Sequence, residues 1–163
     1  MYPFDEHSLE TMISLIGPSV YRLAFSLCKN KYDADDVYQE VFIAYLRNKP
    51  SFVNEHHARG WFFKVCHNAC KKLWRNPFYK KTESFDESFY QVDTTERADY
   101  KPLYRALSQL SLNYRVVIHL FYFEEYSTLE ISEILNVNDS TIRTRLSRAR
   151  QQLKEILGSD VDV

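Results

Sequence analysis

Apolar residues recur at three- and four-residue intervals along most of the chain, a spacing that gathers them on one face of a helix. The first such stretch, Leu9 to Asn30, carries Ile13, Ile16, Val20, Leu23, Ala24 and Leu27, with Gly17-Pro18 as an expected break. A second runs from a cap at Asp33 to about Arg47, with Ala34, Val37, Val41 and Tyr45 on its stripe, and Pro50 ends it. After a loop from Ser51 to His57, a third spans roughly Ala58 to Arg75. It turns Trp61, Phe62, Val65, Ala69 and Leu73 inward until Asn76-Pro77 stops it. From about Phe78 to Tyr100 the period fades and Ser, Thr, Asp and Glu take over, with Phe85, Phe89 and Tyr90 among them. Helix resumes near Pro102, a residue suited to a first turn.

The C-terminal part holds the sharpest local pattern. Ser127-Thr128-Leu129-Glu130 fits a capping box, which opens a short helix through Leu135. Asn136 tolerates the left-handed conformation of a tight turn, and Asp139 or Ser140 then caps a helix from about Thr141 to Leu157. Ile131, Ile134, Leu135, Val137, Ile142 and Leu146 are spaced to meet between the two, which predicts a helix-turn-helix. Arg143, Thr144, Ser147 and Arg148 share the opposite side. Arginine grips guanine O6 and N7 with two hydrogen bonds, and hydroxyls reach bases or phosphates, so this face is read as directed at DNA.

Composition narrows the class. The chain has 163 residues, 45% of them apolar, but only three glycines and five prolines. So few turn formers argue against a sandwich or barrel and favour an all-α protein. Val116-Val117-Ile118, followed after His119 by Leu120 to Phe123, is too short to span a bilayer, and the acidic N-terminus has no signal-peptide pattern. Three unpatterned cysteines make no disulfide framework, which fits a reduced cytoplasmic location.

A net charge of −1 hides strong blocks. Acids dominate from Asp33 to Glu40, bases from Arg59 to Lys81, acids from Thr82 to Asp99, and bases from Asp139 to Lys154. Two basic faces separated by an acidic segment suit contact with a polyanion at two places, although solvated faces look alike by charge alone. The expected organisation is two small helical domains, residues 1–77 and 101–163, joined by a flexible acidic linker over 78–100.

These residues carry a family likeness. Tyr21-Arg22-Leu23-Ala24 and Asp33-Ala34-Asp35-Asp36-Val37-Tyr38-Gln39-Glu40-Val41-Phe42 resemble region two of bacterial RNA polymerase sigma factors. Ala58 to Ala69 is similar to the next part of that domain, and Leu129 to Arg150 to region four. Two such domains and a short linker match the small extracytoplasmic-function (ECF) group. Ser132 and Ser140 depart from the alanine and glycine usual there, which leaves the turn geometry open.

The resemblance implies roles. Asp36, Gln39, Glu40 and Phe42 would dock on the β′ clamp helices of core polymerase, with a further contact from the second domain to the β flap. The loop from Pro50 to His57 would capture a flipped base of the melted −10 element, with Phe52 and Asn68 at the pocket and Lys64, Lys71, Lys72 and Arg75 on phosphates. Arg143, Thr144, Ser147 and Arg148 would read the −35 element, while Arg145 and Arg150 neutralise phosphate or brace the fold. The acidic linker would thread toward the polymerase cleft, and an anti-sigma factor, commonly membrane-associated in this family, would restrain the protein. No cofactor and no catalysis are implied.

Three other readings compete. A free-standing helix-turn-helix regulator would bind duplex DNA without polymerase, and would need neither the acidic docking helix nor the linker. Asp33, Asp36 and Glu40 share a helical face that could hold a metal, as in a nuclease, but no histidine or further acid cluster joins them. Cys66 and Cys70, with His67 nearby, invite a zinc or redox reading that buried small side chains also explain.

Overall fold

Every element among the residues described by the computed structural model (9–28, 30–77 and 101–158) is helical. The chain divides into two units, Met1–Glu83 and Ser84–Val163. The acidic stretch 78–100, with Phe85, Phe89 and Tyr90, lies outside the described residues.

The first unit is three helices, α1 (Leu9–Leu27), α2 (Lys31–Asn48) and α3 (Glu55–Arg75), each packed on the other two. Met12, Ile16, Val20 and Leu23 of α1 meet Val37 and Val41 of α2 and Phe62, Phe63 and Cys66 of α3, all 2% exposed or less. Helix α1 runs unbroken through Gly17-Pro18, contrary to expectation. Pro18 forfeits one backbone hydrogen bond, but Ile16, Gly17, Ser19 and Val20 around it are buried, and this packing outweighs the loss. Gly17 is there for contact, since a Cβ on it would stand 2.7 Å from the Tyr38 hydroxyl. Met12 takes the buried place predicted for Ile13, which is exposed.

Side-chain caps set the two following helices. Asn30, rather than Asp33, caps α2: its Oδ1 accepts the Asp33 N–H at 2.9 Å while its Nδ2 donates to the Asp33 carboxylate at 2.6 Å. The helix closes at Lys49, in the left-handed region at φ 45°, where the N–H donates to the Tyr45 carbonyl. Asn54 accepts the His57 N–H at 2.8 Å and so starts α3 at Glu55, three residues ahead of the predicted Ala58. The inward face of α3 is Phe62, Phe63, Cys66, Ala69 and Cys70, whereas Trp61, Val65 and Leu73 are half-buried. Arg59 fastens α3 to α1, donating to Glu55 and Ser19 and, at 3.2 Å, to the Leu15 carbonyl. Trp74 Nε1 donates to the Leu27 carbonyl at 3.0 Å, occupying an acceptor that the end of α1 leaves open.

The second unit holds α4 (Lys101–Ser108), α5 (Leu112–Ile118), a π-helical turn (His119–Phe123), α6 (Thr128–Leu135) and α7 (Asp139–Leu157). Arg115 is 2% exposed, yet faces three carbonyls: its guanidinium donates to Leu107, Ser108 and Leu110 at 2.8 to 2.9 Å. These acceptors lie at the open end of α4, whose negative pole suits the cation. In the π turn, His119 Nε2 meets Glu124 Oε1 at 3.1 Å, with the imidazole stacked on Phe123.

The helix-turn-helix forms as its local chemistry predicts. Both halves of the capping box are made, Glu130 N–H to Ser127 Oγ at 3.1 Å and Ser127 N–H to Glu130 Oε1 at 3.0 Å. Asn136 takes the left-handed turn at φ 55°. Asn138, not Asp139 or Ser140, is the N-cap of α7, without a side-chain hydrogen bond. Asp139 instead occupies the first turn, where a carboxylate favours the helix dipole.

Candidate nucleic-acid interface

Burial divides α7 into two faces. Ile142, Leu146, Ala149 and Leu153 are inside, and Arg143, Thr144, Ser147 and Arg148 are exposed together on the outer side. Two of the four are engaged within the helix: Arg143 Nε pairs with Asp139 Oδ2 at 3.2 Å, and Thr144 Oγ1 donates to the Ser140 carbonyl at 3.0 Å. Arg145 is half-buried. Arg150 turns away from this face, donating from Nε to the Tyr122 hydroxyl at 2.6 Å with its guanidinium over the Phe121 and Tyr122 rings. Of its two predicted roles, the geometry displays the brace.

In the first unit, Lys64, Asn68, Lys72 and Arg75 lie exposed along one side of α3, with Lys71 half-buried beside them. These positions differ by three or four residues, so their charges accumulate along one stripe. Phe52 does not offer the expected stacking face. It is 3% exposed, its ring within 5.8 to 6.1 Å of His57, Trp61 and Phe62, because an aromatic beside three rings gains more from burial than from water. It therefore holds the loop from beneath, while Val53 is 56% exposed at the loop surface. Asn68 lines a separate cleft between α2 and α3, and Phe52 is not one of its walls.

On α2, Asp36, Gln39 and Glu40 are exposed as expected, but Phe42 is not the surface anchor. It is 6% exposed and packs on Tyr38 and Phe62 at 5.0 and 5.2 Å between ring centroids. Each helical residue turns the chain by about 100°, so the next position reverses the face. Ile43 and Leu46, 51% and 50% exposed, are the apolar groups beside the polar ones. Ile43 lies four and three residues from Gln39 and Glu40, and Leu46 three beyond Ile43, a helical spacing that could have identified them. Burial pushes the Tyr38 and Tyr45 phenols above their ordinary value.

Among the described residues no three His, Cys, Asp or Glu side chains converge as metal ligands. Cys66 and Cys70 are fully buried, and Cys70 Sγ meets Cys28 Sγ at 3.8 Å, a pairing across 42 residues that local spacing could not reveal.

The chain is similar to known proteins. The family described as Sigma-70 region 2 matches residues 12–76, and that described as Sigma-70, region 4 matches residues 100–153. The chain is 33% identical over 149 residues to the RNA polymerase sigma factor SigV of Bacillus subtilis (strain 168), spanning 90% of this chain and 89% of that one. It is 30% identical over 161 residues to the ECF RNA polymerase sigma factor SigM of the same organism, spanning 95% and 98%. The solved structure of the sigma factor RpoE, in complex with the anti-sigma factor NepR from Bartonella quintana, has the same fold. It superposes with a TM-score of 0.72 at 23% identity, covering 93% of this chain and 98% of that one.

Proposed function

The chain belongs to the sigma-70 family and is an alternative RNA polymerase sigma factor of the ECF type, and from that premise we propose which of its surfaces do the work. Residues 1–77 dock on core polymerase and handle the −10 element, residues 101–163 read the −35 element, and 78–100 link the two. On α2, Asp36, Gln39 and Glu40 pair with the β′ clamp helices, and Ile43 and Leu46 supply the apolar contact that Phe42 cannot reach. The second unit also meets the β flap.

Promoter reading falls to two helices. Arg143, Thr144, Ser147 and Arg148 of α7 enter the major groove at −35, Arg143 and Arg148 being the side chains able to grip a guanine edge. On α3, Asn68 meets an unpaired base of the −10 strand while Lys64, Lys71, Lys72 and Arg75 follow its phosphates, which aids melting. The protein catalyses no reaction of its own. No helix among the described residues is long and apolar enough to cross a membrane, and the proposed work is in the cytoplasm, with polymerase and DNA.

An anti-sigma factor attached to the membrane is the proposed restraint. Its support is that the similar RpoE was solved in complex with the anti-sigma factor NepR, and the similar CnrH in complex with the cytosolic domain of CnrY. The observation that carries the promoter reading is the division of α7 into a buried apolar face and an exposed face of two arginines and two hydroxyls. Run-off transcription with purified bacterial core polymerase and a genomic promoter library tests it. Discrete new starts sharing upstream motifs are expected only with the protein present. No new starts, together with tight duplex binding by the protein alone, would instead identify a free-standing regulator.

A further inference from the structure

The chain has three cysteines, and all three are buried in the first unit. Cys28, just past the end of α1, is 3% exposed, and Cys66 and Cys70 of α3 are 0% exposed. Filling a core explains each small side chain taken singly. It does not require two of the sulfurs to meet, yet Cys28 Sγ and Cys70 Sγ stand 3.8 Å apart across 42 residues. Cys66 and Cys70 are the less suitable pair for bonding, although their spacing in the sequence draws the eye. Positions i and i+4 of a helix hold their Cβ atoms about 5–6 Å apart, and a disulfide needs about 3.5–4.5 Å.

We propose that Cys28 and Cys70 are an oxidation site, which a peroxide closes into a disulfide that cross-links the end of α1 to α3 and weakens promoter melting until a thiol reductant reopens it. The regulatory half of this inference rests on the −10 reading of α3 given above, whereas the chemistry does not. Cys28 is the point of entry, since a helix end opens more readily than the middle of a core helix and hydrogen peroxide is scarcely larger than water. The Cys28 sulfur attacks one peroxide oxygen, the O–O bond breaks, and the thiol proton leaves with the second oxygen as water. The product is a sulfenic acid. The Cys70 sulfur then attacks the Cys28 sulfur, the S–S bond forms, and the S–O bond breaks to release a second water. In sum, two thiols are oxidised to one disulfide and one peroxide is reduced to two waters. The second step is intramolecular, with the attacking sulfur already in place, so it outruns capture by another molecule.

The consequence follows from where the bond lies. Bond formation brings the sulfurs from 3.8 Å to about 2 Å, and a close-packed core passes such a movement on to the elements around it. Asn68, Lys71 and Lys72 flank Cys70 on α3, so the stripe proposed to meet the −10 strand moves with it. The chain between the two sulfurs contains all of α2 and the loop ahead of α3. Closing that long loop also stabilises the unit, by restricting its unfolded state.

The test uses the full chain, reduced and then treated with hydrogen peroxide, which is removed before any further step. Alkylation and peptide mass spectrometry are expected to find one intramolecular Cys28–Cys70 disulfide, with Cys66 still a thiol. The first unit should melt at least about 5 °C higher, and dithiothreitol should reverse both changes. Assembled on untreated core polymerase, the oxidised protein should yield severalfold less run-off transcript than the reduced one. Cys28→Ala should make the yield insensitive to the treatment, and Cys66→Ala should respond like wild type.

Peroxide that leaves all three thiols intact, or yields sulfinic acids or disulfides between chains instead, overturns the site. These readouts need only the wild-type chain, so they stand even where a variant folds poorly. A Cys28–Cys70 disulfide with unchanged transcription refutes the switch. Reduced protein that starts no transcription overturns the −10 reading itself, while mass and melting still decide the disulfide.

Discussion

Arg150 donates from Nε to the Tyr122 hydroxyl at 2.6 Å, and its guanidinium stands 5.3 and 5.6 Å from the centroids of the Phe121 and Tyr122 rings. Helix α7 is thereby fastened to the π-helical turn. A side chain spent this way contributes to position rather than to phosphate neutralisation. Arg150→Ala is expected to cost about 1 kcal/mol in the second unit, as an exposed cation–π contact and one hydrogen bond would, and to leave the salt slope of duplex binding unchanged. Arg148→Ala should do the reverse, or relax base preference at one position. Calorimetric melting and salt titrations separate the two.

Phe42 and Ile43 are neighbours in sequence but lie on opposite faces of α2. Truncating buried Phe42 to alanine is expected to cost about 3 kcal/mol of stability in the first unit. Ile43→Asp should leave melting within about 0.5 kcal/mol, as surface changes do. It should nevertheless weaken assembly on core polymerase tenfold or more, measured by fluorescence anisotropy of labelled sigma.

Gly17 and Tyr38 are coupled through space, since a Cβ on residue 17 would meet the Tyr38 hydroxyl at 2.7 Å. The Tyr38 ring is held by Tyr21 and Phe42, so it has little room to yield. Gly17→Ala is therefore expected to destabilise the wild-type chain by about 1 kcal/mol. In a Tyr38→Phe background it should stabilise by about as much, through helix propensity alone. Thermal melts of the four proteins close the cycle.

Arg115 answers three carbonyls with one planar fork. Lysine has a single ammonium on a flexible stem and cannot reproduce that geometry. Arg115→Lys is expected to cost about 2 kcal/mol in the second unit, the penalty of leaving buried acceptors unpaired, with the first unit unaffected. Hydrogen exchange resolved by peptide would show which unit loosens.

Tyr38 and Tyr45 keep their phenolic protons to higher pH than in an unfolded chain, because burial disfavours the phenolate. Their contribution to stability is thus complete below about pH 10, the ordinary phenol value, and falls as pH rises through the folded values. The first unit is expected to lose melting temperature above that pH. A Tyr38→Phe/Tyr45→Phe chain should lose less over the same range.

Much of this architecture was legible because its signals are local. The Ser127 capping box, the Asn136 turn and the burial stripe of α7 depend on residues within one or two helical turns, and all three form as predicted. Errors arose where a distant partner decides. Gly17-Pro18 looks like a helix break until Tyr38 and the buried neighbours of Pro18 are considered. Phe52 looks like an open platform until His57, Trp61 and Phe62 close around it. Phe42 and Ile43 differ by one position, enough to exchange core for surface on a helix. Asn30 and Asn54 cap ahead of the apolar pattern, which starts only at Ala34 and Ala58 and so hides them.

Arg143 and Thr144 reach the outer face of α7 already engaged, one with Asp139 and the other with the Ser140 carbonyl. The Arg143 Nε is occupied, and its terminal Nη pair is left to work with. On the proposed promoter reading, DNA would therefore meet a cation already paired with its own helix. A guanine edge with two acceptors can then take the terminal Nη groups while Nε stays with Asp139. The pair is exposed and worth only about 0.5 kcal/mol, so on that reading its consequence is orientation: the guanidinium is aimed before any DNA arrives.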